Sequence, residues 1–281
     1  MQALARWARR FGVARAVCTV LLFGLVALRA ADPQPLQELR LRVFDLFQVL
    51  HPREQQGPFP VAIVDIDEAS LKAIGQWPWP RTVLADLITK LKEQGAVVVG
   101  FDVIFAEPDR MSPAVAAQSF RGLDAETRAK LDGLPSNDEV FADAIGKARV
   151  VVGQVGAATP QPRSQAEMAL QTGVAFIGPD PSPFLVTYPG LLRNILPIEQ
   201  AAAGRGSFSI NPERDGIVRR VPMIMAAQGG LVPSLTMEML RLATGASAVL
   251  LRVDQAGVQS VSVRGHVVPT DHHGQIWIHF N

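Results

Sequence analysis

Residues 11–31, FGVARAVCTVLLFGLVALRAA, constrain this chain more than any other stretch. They are apolar except for Thr19 and two arginines near the ends, Arg15 and Arg29. At about 1.5 Å per helical residue the segment reaches about 31 Å, close to the roughly 30 Å of a bilayer hydrocarbon core. Both arginines lie near enough to the ends for their side chains to reach the headgroups. The pattern predicts an uncleaved transmembrane helix over 11–31, with 1–10 as a cytoplasmic N-terminus. Two other readings stand beside it. The uninterrupted apolar core, Ala16 to Leu28, also suits a secretory signal peptide. Cleavage after Ala30 or Ala31, however, would put Leu28 or Arg29 where a small residue belongs. The third reading is a buried soluble helix, but a helix apolar on every side is unusual in water.

Charge then orients the chain. Residues 1–31 carry Arg6, Arg9, Arg10, Arg15 and Arg29 and no acid. Of 27 basic and 26 acidic side chains, 22 and 26 remain for the rest, a net charge of −4. A basic leading end stays in the cytoplasm, so everything after about Asp32 is expected outside. A mildly acidic body also argues against a nucleic-acid partner, which needs a basic face to neutralise phosphates. Cys18 is the one cysteine, so neither an intrachain disulfide nor a cysteine-based metal site is available.

Beyond the anchor, Leu36 to Leu50 has the spacing of an amphipathic helix, with Leu39, Val43, Leu46, Phe47 and Leu50 on one face. Asp32-Pro33-Gln34-Pro35 makes a stiff break before it, and HPREQQGP closes it. Strand and helix then alternate. Val61–Ile66 has the β-branched composition of a strand covered on both faces. Pro80 starts a helix through Arg81–Gln94, with an apolar stripe of Val83, Leu84, Leu87, Ile88 and Leu91 and a stop at Gly95. Ala96–Phe101 is a second strand, Asp138–Lys147 a second helix and Val150–Val155 a third strand. This order predicts a right-handed, mainly parallel sheet in a three-layer α/β domain. Glu107–Asn137 is polar with a short helix near Ala125–Leu131, and Ala157–Gly190 reads mainly as loop.

Hairpins follow. GSFSINPERDGIVRRVPMIM is expected to pair two strands across Asp215-Gly216. Ser234 caps a helix over Leu235–Thr244 that Gly245 ends. Val249–Val253, Val258–Val263, His266–Pro269 and Gln275–Phe280 read as short antiparallel strands, an antiparallel β-hairpin extension of the α/β domain.

Five stretches in order, FDLFQVLHPRE, VAIVDIDEASLKAIGQWPWPR, LKEQGAVVVGFDVIFAEPD, RDGIVRRVP and VVPTDHHGQIWIHFN, give the chain a resemblance to the second type of CHASE domain. The resemblance spans 36–281, and the WPWPR and GFDVIF pair is its most specific part. It implies an extracytoplasmic sensor module of a bacterial membrane receptor, lying on the periplasmic side of the inner membrane and attached to it by the N-terminal helix. An unidentified ligand or protein stimulus would be relayed through membrane helices to a cytoplasmic adenylate or guanylate cyclase or a protein kinase. The module itself is then not an enzyme and holds no cofactor. Because such outputs act as dimers, the resemblance also implies a homodimer. Family members continue through a further strand-rich segment, which implies a domain cut short at Asn281.

The candidate ligand-binding residues are Asp65, Asp67, Trp77, Trp79, Arg81 and Asp102. Asp65 and Asp67, two apart on one strand, would share a face. Asp102 ends the next strand, so the three carboxylates would gather at the carboxyl edge of the sheet, where open α/β sheets bind ligands. Against this stands a plainer reading: Asp67 caps a short helix Glu68–Ile74, and Asp65 and Asp102 pair with Arg81 or backbone amides. The tryptophans, locked between Pro78 and Pro80, either wall a cleft or plug the core between strand and helix. Arg81 in the first turn of its helix opposes the dipole, which suggests a carboxylate or anionic ligand beside it.

A strand ending in Asp-x-Asp also resembles haloacid-dehalogenase-type phosphatases, giving the alternative of a membrane-anchored periplasmic hydrolase using Asp65 and Asp67. That pattern wants a threonine where Ala69 stands. Arg219 and Arg220 face opposite sides of their strand, so at most one joins a site. His272 and His273 near Asp271 fit a solvated turn better than a metal centre.

Overall fold

A computed structural model describes residues 2–52, 60–162 and 173–280. The chain divides into two compact units, Met1–Pro60 with His279–Asn281, and Val61–Ile278. Residues 53–58 of the expected turn after Leu50, and 163–172 of the expected loop, lie outside the described residues.

In the first unit, α1 (Gln2–Ala31) and α2 (Gln34–Leu50) are separated by Asp32-Pro33. Proline has no amide proton to donate, so Pro35 costs nothing in the opening turn of α2. Asp32 holds the break together. Its carboxylate accepts from Arg40 at 2.5 Å and its carbonyl from Gln37 Nε2 at 2.7 Å. Gly12–Ala31 of α1 is long and apolar enough to cross a membrane, and its described side chains are exposed. The C-terminal residues lie on α2: the His279 ring stands 5.8 Å from Phe44, and the Phe280 amide donates to Gln48 Oε1 at 2.9 Å.

The second unit is a mixed α/β body. Among the described residues its helices are α3 (Glu68–Ile74), α4 (Arg81–Glu93), α5 (Pro113–Ser119), α6 (Ala125–Asp132), α7 (Asn137–Gly146), α8 (Leu196–Ala201) and α9 (Leu235–Thr244). Strands β1 (Val99–Phe101), β2 (Val150–Ala157) and β6 (Gly204–Ser207) form a parallel sheet in the order β1-β2-β6. β5 (Gly190–Leu192) joins the far end of β2 antiparallel. The intervening β3 (Val174–Ile177) and β4 (Thr187–Tyr188) belong to other sheets.

Side-chain alternation makes this sheet the middle of three layers. Phe101, Val150 and Val152 point to one face, where Leu84, Ala85 and Ile88 of α4 and Phe141 and Ile145 of α7 complete a buried cluster. Phe101, Phe105 and Phe141 meet edge-to-face there, with centroids 5.1–5.6 Å apart, a favoured arrangement of ring quadrupoles. The opposite face is lined by Gly100, Gly204 and Gly206, and α9 packs on it. A β-carbon on Gly206 would come within 2.5 Å of Leu235 Cα, and one on Gly204 within 2.4 Å of Glu238 Oε1. The absence of side chains there is what admits the helix.

A second core sits on the antiparallel part. β10 (Val249–Asp254), β11 (Gly257–Val263) and β12 (His266–Val268) form a meander, with β3 parallel to β10 at its edge. Val249, Leu251, Val258, Val261 and Val263 pack with Met237 of α9. β8 (Ile224–Ala227) pairs with β9 (Gly230–Pro233) and β4, and β7 (Arg220–Pro222) with β13 (Gln275–Trp277).

Several expectations are corrected. Val61–Ile66 forms no strand and pairs with none among the described residues. Its β-branched run satisfies local strand propensity, yet Val61, Ile63 and Val64 stay 65%, 91% and 58% exposed, and Ile66 alone packs against the first core. Asp65 and Asp67 therefore do not share a strand face. The predicted hairpin from Gly206 to Met225 also does not form. β6 pairs with β2 and β7 with β13, while Asp215-Gly216 makes only a local turn, with the Gly216 amide donating to Glu213 O at 2.9 Å. The last strand ends at Trp277 rather than Phe280, whose amide donates to Gln48 Oε1 and not to a strand. α5 was not expected.

Candidate functional site

The carboxyl edge of the β1-β2-β6 sheet is held by a buried polar node. α4 and α7 both run back against strands that follow them, so their N-termini lie at this edge. Arg81 opens α4 and is 8% exposed. Its backbone amide donates to Asp109 Oδ2 at 2.8 Å, so a carboxylate from the loop after β1 caps α4, which suits the positive end of the helix dipole. The guanidinium lies 4.4 Å over the Phe105 ring, and its Nε faces Asp138 Oδ1 at 3.5 Å. Neither of these two atoms has a hydrogen-bond partner among the described residues.

Asp109 is the hub. It also accepts from the Met111 amide at 2.8 Å and from Asn137 Nδ2 at 2.9 Å, while its own amide donates to Asp138 Oδ2 at 2.9 Å. Burial pushes the Asp109 carboxyl up, but the hydrogen bonds from Arg81, Met111 and Asn137 and the Arg81 charge together hold it below the usual carboxylate range. Burial lowers the Arg81 guanidinium against the opposing pull of Asp138 and Asp109. α7 starts beside the node with a capping box, Ser136 and Glu139 each satisfying the other's backbone.

A second buried node continues along the edge. Glu199 of α8 is fully buried and accepts from Gln154 Nε2 of β2, from the Asn194 amide and side chain, and from Arg205 Nε of β6 at 2.9 Å. Arg205 also reaches the Glu199 carbonyl. Phe105 joins the nodes: its amide donates to Asn194 Oδ1 at 2.8 Å while its ring lies under Arg81.

The structure sorts the residues singled out from sequence. Asp67 is the N-cap of α3, accepting from the Ser70 amide at 2.8 Å and from its hydroxyl at 2.7 Å. Those two bonds, the hydroxyl's first, lower its carboxyl below the usual range, the wrong direction for a general acid near neutral pH. Trp79 is 6% exposed and plugs the first core, its indole N–H donating to Gly75 O at 2.7 Å. Trp77, half-buried, meets it edge-on at 5.7 Å. Of the carboxylate or anionic ligand that its misfit with the dipole suggested, Arg81 has carboxylates beside it, those of Asp109 and Asp138. Asp65 and Asp102 are exposed, and no hydrogen bond or ion pair among the described residues joins either to Arg81.

Sequence reasoning missed Asp109, Asp138, Asn194, Glu199 and Arg205. The available signal was the acidic pair Glu107 and Asp109 flanking Pro108, in the loop that follows the second expected strand. Elsewhere, buried Arg219 makes a two-pronged bond to Asp215 at 2.7 and 3.0 Å, and Arg220 pairs with Glu213. The Arg219 bonds come first among the causes that lower Asp215 to about 2. His273 Nδ1 lies 2.8 Å from Phe184 O. No group of three or more His, Cys, Asp or Glu is placed to hold a metal among the described residues.

A helix long and apolar enough to cross a membrane, followed by a mixed α/β body with internally engaged buried charges, defines a class, an α/β domain behind an N-terminal apolar helix. A family model makes it specific: the CHASE2 domain matches residues 17–281, and the chain belongs to the CHASE2 family. CHASE2 domains are extracellular sensor domains of signalling receptors, sensory rather than catalytic. Searches of curated proteins and of solved structures return no match.

Proposed function

We propose that this chain is the periplasmic sensing part of a bacterial inner-membrane receptor, held by α1 with its N-terminus in the cytoplasm. It relays a stimulus through membrane helices to a cytoplasmic adenylate or guanylate cyclase or a protein kinase, working as a homodimer. The observation that carries this reading is the family match over 17–281 together with the exposed apolar length of α1.

The sensing edge is the carboxyl end of the β1-β2-β6 sheet. Exposed Asp65 and Asp102 offer carboxylates to a ligand, while Asp67, Trp77, Trp79 and Arg81 fix the surrounding segments. A ligand moves the receptor only by binding one arrangement better than the other. The mechanical exit runs through β13. Ile278 donates its amide to Arg219 O at 2.8 Å, and His279 and Phe280 then lie on α2, the helix that follows the anchor.

Alkaline phosphatase fused after Asn281 tests the topology. Activity is expected, and a fusion active only as a cytoplasmic reporter would overturn the placement. In the parent receptor, Asp65→Asn and Asp102→Asn should alter output without loss of the folded protein, and unchanged dose-response curves would remove both from the sensing edge.

A further inference from the structure

α2 carries an apolar surface that no described residue covers. Leu39, Val43, Leu46 and Leu50 are 57%, 41%, 55% and 59% exposed. With half-buried Leu36 they fall at 36, 39, 43, 46 and 50, spacings of three and four in strict alternation. The other side of the helix is taken, since Phe44 faces His279 and Gln48 accepts from Phe280.

We propose that α2 packs in parallel against α2 of a second copy along Leu36, Leu39, Val43, Leu46 and Leu50, making a dimer seam just outside the membrane. The 3.5-residue mean spacing is that of a helix-on-helix seam, and Phe47, 58% exposed, flanks it at an e position. Leu36, Val43 and Leu50 take the a positions and Leu39 and Leu46 the d positions. A β-branched residue at the central a position, between leucines at d, favours two parallel strands. Two anchors crossing one membrane in the same sense also make the helices that follow them parallel. Charge disfavours a lipid surface as the occupant. Glu38, Arg40, Arg42 and Asp45 cancel, whereas a helix lying on anionic lipid is rich in basic residues.

Two heptads are too few for a free-standing coiled coil. The seam therefore rests on the proposed anchoring by α1, which raises the local concentration of one α2 beside another without any new contact.

The test uses the full chain in membranes with Cys18→Ser and single cysteines from Leu36 to Leu50, oxidised mildly. Disulfide-linked dimer should peak at 39, 43, 46 and 50 and fall at 41, 45 and 48. In the Val43→Cys chain, adding Leu39→Glu and Leu46→Glu should cut the cross-link at least about tenfold, equivalent to ~1.4 kcal/mol of lost association. These positions are exposed, so the body should fold unchanged. A flat profile, a maximum at 41, 45 and 48, or cysteines at 39, 43, 46 and 50 that resist both cross-linking and a water-soluble maleimide would each refute the seam, the last pointing to lipid. Release of the chain by alkaline carbonate would refute the anchoring and the seam with it, whereas retention with a flat profile refutes the seam alone.

Discussion

Replacing Asp109 with alanine tests whether the buried node holds the carboxyl edge in place. The carboxylate accepts from the Arg81 amide, Asn137 Nδ2 and the Met111 amide at 2.8–2.9 Å, and its charge faces Arg81. Met111 is 55% exposed, so its amide regains water at little cost. The Arg81 amide and the Asn137 side chain do not, and a buried donor left unpaired costs about 1–3 kcal/mol. Breaking a buried charged network by removing one partner costs about 3–5 kcal/mol, so the two routes to the figure agree. At about 2–4 °C per kcal/mol for a domain of this size, melting should fall by about 6–20 °C. Tryptophan fluorescence is a suitable readout because Trp79 and Phe105 share the first core.

The effect has a pH signature. The Asp109 carboxyl is held lower folded than unfolded, so its stabilisation is fully present above the unfolded value of about 3.9. It is lost as pH falls through the folded value. The gap between wild type and variant should thus be constant near neutrality and close in acid. A loss under about 1 kcal/mol at neutral pH, no larger than an ordinary substitution gives, would refute the reasoning. Asp102→Ala, at an exposed carboxylate on the same edge, is the control and should stay within about 0.5 kcal/mol.

Other outcomes follow from the same contacts. Ser234→Ala removes the side chain that accepts from the Met237 amide at the start of α9, and should cost about 1 kcal/mol in chemical denaturation. Gly206→Ala drives a methyl into the Leu235 backbone and should cost about 1–3 kcal/mol. Gly146→Ala, with open space at the end of α7, should not destabilise, and equal losses at the two glycines would show that α9 does not pack as described. The Asp215 carboxyl should titrate at about 2 by carbon NMR and move toward the ordinary 3.9 in Arg219→Gln, whereas an unmoved value would break the assigned pair.

What was legible in the sequence, and what was not, separates along chain distance. The α3 cap at Asp67, the α9 cap at Ser234, the apolar stripe of α4 and the stop at Gly245 all appear where the residues placed them. Each depends on neighbours within a turn or two, where residue type and spacing carry the information. The length of α1 and the bias of its arginines are equally local.

Pairing was decided by the tertiary structure. Val61–Ile66 has the composition of a strand and finds no partner, while Gly204–Ser207, unremarkable as a strand, pairs with β2 across some fifty residues. The misfit of Arg81 with its helix dipole suggested a carboxylate or an anionic ligand, but the carboxylate capping its amide comes from 28 residues away. Backbone hydrogen-bonding groups are the same at every residue, so local sequence names no strand's partner. An ion pair is chosen by which loop folds over which helix end, and that choice exists only once the layers have packed.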